Sequence, residues 1–200
     1  MKNLGYIKQV VLQATFVAFV LGLVSCDNQQ KYDSKVVAEE RNEEKFASNN
    51  MENDAQFLVN VAEIHMEEIQ LGKLAQQKGS TVYVKELGKM MEDAHFKSLN
   101  EVIALARAKN ITVPATSTND ARDTYEKLNN ETGEAFDKAY ADKMIDEHED
   151  AIKAFEDAST GANDMDIKNW ASASLPGLRT HLNHSMECQK KLDGHYSQNN

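Results

Sequence analysis

Only two prolines, Pro114 and Pro176, stand in the 200 residues, which leaves long stretches of chain free to be helical. Proline breaks a helix because it lacks a backbone N–H and its ring collides with the preceding turn. Between residues 54 and 192 apolar residues recur at i, i+3, i+4 and i+7, the spacing of a helix with one buried face. No strand-like alternation and no fixed repeat accompany it. Four main helices are predicted: 54–78, stopped by Gly79; Ser80 or Thr81 as N-cap and onward to 109; 131–158, stopped near Gly161; and from after Asn163 to 192, with Asp164 and Asp166 suiting the positive N-terminal end. Short turns make each successive pair an antiparallel hairpin. The connection 110–130 is longer, with a short helix near 121–128. The expected fold class is therefore all-α: a ferritin-like four-helix bundle of two antiparallel hairpins joined by a long crossover connection.

The inward stripes are apolar at their ends and polar in the middle. They read Phe57, Val61, Ile64, Glu68, Leu71, Gly72 and Ala75, with Leu58 and His65 on the shoulder; Val84, Leu87, Met91, Ala94, His95, Ser98, Val102 and Leu105; Asp137, Tyr140, Ala141, Met144, Glu147, His148, Ala151 and Phe155; and Ala171, Ser174, Leu175, Leu178, His181, Leu182, Ser185 and Leu192. Each helix thus places an ionisable residue near mid-stripe: Glu68, His95, His148 (with Glu147 at the edge) and His181. Depth supports a meeting point. Glu68 lies 11 residues before Gly79 and His95 lies 16 after it, an offset of about 7 Å at 1.5 Å per residue. Side chains tilt toward their own N-terminus, which narrows that gap. Two readings stay open. In one, Glu68, His95, His148 and His181, with Glu147 as a further candidate, converge on a divalent transition metal. In the other, they form buried hydrogen bonds that fix helix register. His184 points off the stripe and His195 sits in the tail. No phosphate loop, CxxC, nucleophile elbow or catalytic triad is present, and no reaction or protein partner is legible.

The first 25 residues are of another kind. Lys2 and Lys8 precede an apolar run over 10–24, and no acid occurs before Asp27. About 15 residues are too few to cross a bilayer, and a short apolar run behind a basic start is a secretory signal. The run closes on Leu23-Val24-Ser25-Cys26, which resembles the lipobox of bacterial lipoproteins. That resemblance implies cleavage before Cys26, lipidation of its thiol, and a cell-envelope location on the outer-membrane or periplasmic side, with the membrane as partner through the lipid. The expected domains are 1–25 signal peptide, 26–53 lipidated cysteine and flexible tether, 54–193 bundle, and 194–200 disordered tail. Cys188, the second of the two cysteines, then has no internal disulfide partner. Cleavage takes the net charge from −10 to −12, and a chain this acidic is repelled by phosphate backbones, so nucleic acid is not an expected partner.

Four stretches in order also resemble a known family, the bacterial domain of unknown function 4142, a predicted exported protein grouped with ferritin-like folds. They are Ala62-Glu63 through Glu68-Ile69-Gln70-Leu71-Gly72-Lys73-Leu74-Ala75; Met91-Glu92-Asp93-Ala94-His95; Gly133-Glu134-Ala135-Phe136-Asp137-Lys138-Ala139-Tyr140 with Asp146-Glu147-His148; and Leu175-Pro176-Gly177-Leu178-Arg179-Thr180-His181-Leu182. The resemblance implies a fold and no activity. Ferritin-like di-iron centres follow a different pattern, a Glu on two helices and Glu-x-x-His on the other two. Glu92-x-x-His95 meets it, but Leu178 precedes His181 and Ile145 precedes His148 by three. A mononuclear or vestigial site fits this sequence better than a dinuclear oxidase centre.

Overall fold

The computed structural model describes residues 33–47 and 50–198. Among them six helices form: α1 (Ser34–Phe46), α2 (Glu52–Lys78), α3 (Val82–Ala108), α4 (Asn119–Asn130), α5 (Gly133–Gly161) and α6 (Met165–Ser197). No described helix is long and apolar enough to cross a membrane. Cys26 and the apolar run before it lie outside the described residues.

Helices α2, α3, α5 and α6 make the bundle, with α2–α3 and α5–α6 as hairpins. Its apolar interior is two clusters. One joins Leu58, Val61 and Ala62 of α2 to Val102 of α3, Phe155 of α5 and Ile167 of α6. The other joins Leu71 and Leu74 of α2 to Val84 and Met91 of α3, Phe136 and Tyr140 of α5, and Leu192 of α6. The end of α3 and the end of α5 thus meet in the first cluster, so these helices run the same way. The connection between them must travel the length of the bundle, from Ile111 in the first cluster to Leu128 in the second. Helix α4 lies on that path, against α2.

Local chemistry sets the helix ends. Thr81, Thr118 and Asp164 each cap a helix by accepting backbone N–H groups. Helix α3 stops because Asn110 turns left-handed (φ 57°), a conformation asparagine tolerates. The N–H of Ile111 then reaches back to Ala106 O at 2.9 Å and that of Asn110 to Arg107 O at 3.2 Å, a Schellman closure.

The hairpins are locked to each other by two buried aspartates. Asp137 of α5 accepts the N–H groups of Ser80 (2.8 Å) and Thr81 (2.9 Å) in the α2–α3 turn, and the hydroxyl of Tyr196 (3.1 Å). Asp54 of α2 does the same at the opposite end, accepting from Asn163 (3.0 Å) and Asp164 (2.7 Å) in the α5–α6 turn. Each hairpin caps the other's turn. Asp137→Ala leaves buried donors without an acceptor and should cost about 1–3 kcal/mol, read from the urea unfolding midpoint; an unchanged midpoint would contradict this role.

Two expectations need correction. Much of the tether expected over 26–53 is helix α1, docked antiparallel along α2. Asp33 caps it and also accepts from Asn119 N at 2.6 Å. Asn42 exchanges two hydrogen bonds of 2.7 Å with the backbone of Thr112, Lys35 pairs with Glu63, and Phe46 is buried. Polar bonds to the crossover connection and to α2, rather than a broad apolar face, hold it. The tail expected to fray from 194 instead continues α6 to Ser197, where Tyr196 is held by Asp137.

Candidate metal centre

Between the two apolar clusters lies a polar layer contributed by all four bundle helices. His95 and His148 are buried at 2 % and 0 % exposure, Glu68 at 1 %, and His181 is half-buried. The structure brings these four together. His95 Nε2 lies 2.7 Å from Glu68 Oε2, which lies 3.8 Å from His148 Nε2. His148 Nε2 lies 3.3 Å from His181 Nδ1. One ligand atom from each of the three histidines fits within 4.8 Å of the others.

Glu147 is not part of this group. It sits one residue before His148, and one residue is about 100° around a helix, so the two cannot share a face. Its carboxylate goes to Lys143 at 2.9 Å, which also reaches Glu67 at 3.3 Å. Burial and the nearby charges of Glu68 and Glu67 push the Glu147 carboxyl well above its ordinary range, against the pull of Lys143. Glu92 turns away too, accepting from Gln76 at 2.7 Å.

The orientation of the imidazoles is fixed by their outer nitrogens. His148 Nδ1 lies 2.8 Å from the carbonyl of Met144, which can only accept, so Nδ1 carries the proton and Nε2 turns a lone pair inward. This is how ligand histidines are usually held. His95 Nδ1 lies 2.8 Å from His65 Nδ1. His65 was expected on the shoulder of its stripe; it is instead buried at 3 % exposure, a member of the layer. Helix α2 is covered by α1 and α4 as well as by the bundle, so its buried face is too broad for one stripe to locate.

The electrostatics are those of a dry site. Burial, with the neighbouring imidazoles, pushes His65 down to about 3 and His181 down to about 4. Burial alone would raise the Glu68 carboxyl; His95 and His148 outweigh it and hold the group well below its ordinary value. Both Glu68 oxygens and His95 Nε2 are nonetheless without a hydrogen bond, as is the buried Tyr140 hydroxyl. Glu68 and His95 stand in ion-pair contact at 2.7 Å, with an angle outside that of a well-aligned hydrogen bond. At Cys188, burial pushes the free thiol up to about 11, which keeps it protonated and unreactive.

These features define a class: an all-helical bundle with a Glu/His layer across its middle. The family model of a domain of unknown function (DUF4142) matches residues 39–187, and the chain belongs to that family. No curated protein and no solved structure matches it.

Proposed function

We propose that the protein is a metal-binding envelope lipoprotein, in which a ferritin-like bundle holds one divalent transition metal ion through Glu68, His95, His148 and His181. The observation that carries this reading is the buried Glu68 carboxylate. It has no aligned hydrogen bond, yet two imidazoles approach its Oε2, His95 at 2.7 Å and His148 at 3.8 Å, and His181 lies against His148. A carboxylate withdrawn from water with no aligned hydrogen bond is expensive; a cation held between it and the neighbouring imidazoles would relieve that cost.

The spacing suits such an ion. At metal–nitrogen distances near 2.05 Å, tetrahedral donors stand about 3.3 Å apart. The separation of 3.3 Å matches that value, that of 3.8 Å is somewhat wider, and the 2.7 Å contact must open by about 0.6 Å to accept an ion. Three imidazoles and one carboxylate favour Zn²⁺ or Fe²⁺ over the harder Mg²⁺ or Ca²⁺. With Glu147 engaged by Lys143 and Glu92 by Gln76, one ion fits and a carboxylate-bridged pair does not. The alternative reading, a layer that only fixes register, is favoured by the contacts from His95 to His65 and from His148 to His181.

Thermal unfolding separates them. Metal-free protein given Zn²⁺ at 100 times Kd should gain about 2.7 kcal/mol. His181→Ala should lose that gain, and the exposed His184→Ala should keep it. No copurifying metal and no response to Zn²⁺ or Fe²⁺ would leave the register role in its place. The lipid rests on the Leu23-Val24-Ser25-Cys26 junction. Intact mass of the membrane-extracted protein should begin at an acylated Cys26; a chain retaining Met1 would refute the anchor.

A further inference from the structure

Approach to the histidine layer is uneven. Glu68, His95 and His148 are buried, and His181 is half-buried where a cleft of about 360 Å³ opens between α3 and α6. His65, His95 and His181 line it from within. The nearby walls are small, Ala94 and Ser98 on α3 and Ser174 and Gly177 on α6. Farther along stands Trp170, its indole N–H given to Glu101 at 3.2 Å. His65 is 3 % exposed and its Nε2 has no hydrogen-bond partner, so a buried polar atom is left over in a residue lining this cleft.

We propose that the cleft admits a small monodentate anion as a fifth ligand to the ion. The proposal rests on the metal reading above. An ion of charge +2 held by one carboxylate and three neutral imidazoles keeps a net charge of +1, and in a site this dry that charge draws a monoanion. A borderline ion such as Zn²⁺ or Co²⁺ can expand from four ligands to five, so an anion reaching it through the cleft can add to the four protein donors. The His65 Nε2, without a partner in a residue lining the cleft, is a polar group that an anion in the cleft would satisfy. The small residues near the layer admit a ligand of two or three atoms.

Co²⁺ and azide test the two readings separately, because Co²⁺ reports its coordination in the visible spectrum. Metal-free full-length protein should bind one Co²⁺, and azide should then change the spectrum saturably. Gly177→Leu blocks the route: a Cβ built there meets nothing within 4 Å, so the added side chain enters open space. This variant should keep the Co²⁺ spectrum and bind azide at least tenfold more weakly. Gly194→Leu, also on α6 with nothing within 4 Å of its Cβ, should behave as the unmodified protein. A Co²⁺ spectrum indifferent to azide, or equal azide affinity in Gly177→Leu, overturns the cleft and leaves the metal reading standing. Absence of Co²⁺ binding overturns both.

Discussion

Gly88→Val should cost more than about 3 kcal/mol and leave a domain that unfolds at little or no denaturant. Helices α2 and α3 touch backbone to backbone where Gly72 faces Gly88. A Cβ on Gly88 would lie 2.7 Å from both Ala75 Cβ and Gly72 O, and one on Gly72 would lie 2.6 Å from Gly88 O. These are not the ends of flexible side chains that can swing aside, so the helices themselves must separate. Even Gly88→Ala is informative, because two effects oppose each other. Helix propensity favours alanine by about 1 kcal/mol, whereas the collision costs about 1–3 kcal/mol. The account predicts net destabilisation in a urea titration; a stabilised alanine variant would refute the close approach. Since Gly72 lies one turn from Glu68, the same substitutions should also weaken metal binding.

The second large effect is acid sensitivity of the metal-free protein. Unfolded histidine titrates near 6.5, whereas burial holds His65 at about 3 and His181 at about 4. Above pH 6.5 both states are neutral at these residues and they add no pH dependence. Below it the unfolded chain takes up protons that the folded chain refuses, so stability falls with falling pH. The loss continues until the folded groups titrate near pH 4 and 3, at about 1.4 kcal/mol per pH unit per group. Glu68 acts in the same direction at lower pH: its depressed carboxyl stabilises above the unfolded carboxyl value and loses that share as pH falls through the folded one. Several kcal/mol should therefore disappear between pH 6.5 and 4. Urea midpoints at pH 8, 6 and 4.5 measure it; a flat profile would mean that the imidazoles are hydrated. Bound metal should postpone the loss to lower pH and sharpen it, since protons and metal compete for the same nitrogens.

The long helices were legible because each carries a periodic apolar face and a chemical stop, such as Gly79 after α2 or the Asp164 cap before α6. The inward positions of His95, His148 and His181 followed from the same periodicity. What periodicity misses is contact made by polar groups far apart in the chain. Helix α1 buries only Ala38, Asn42 and Phe46, and its attachment through Asn42 and Thr112 spans 70 residues. The caps given by Asp54 and Asp137 reach across 110 and 57 residues; the sequence shows Asp137 only as an odd acid on an apolar stripe. His65 was hidden because α2 is covered on several sides. Glu147, by contrast, was separable from His148 on the sequence alone, since neighbours on a helix diverge by about 100°.

The central claim is that Glu68, His95, His148 and His181 share an ion, and anomalous diffraction at the zinc edge from crystals grown with Zn²⁺ tests it most directly. The account predicts one strong peak within about 2.0–2.2 Å of a Glu68 oxygen and a nitrogen from each histidine, with Glu147 still on Lys143. No peak in the layer, and a direct, aligned hydrogen bond between His95 Nε2 and Glu68, would contradict it.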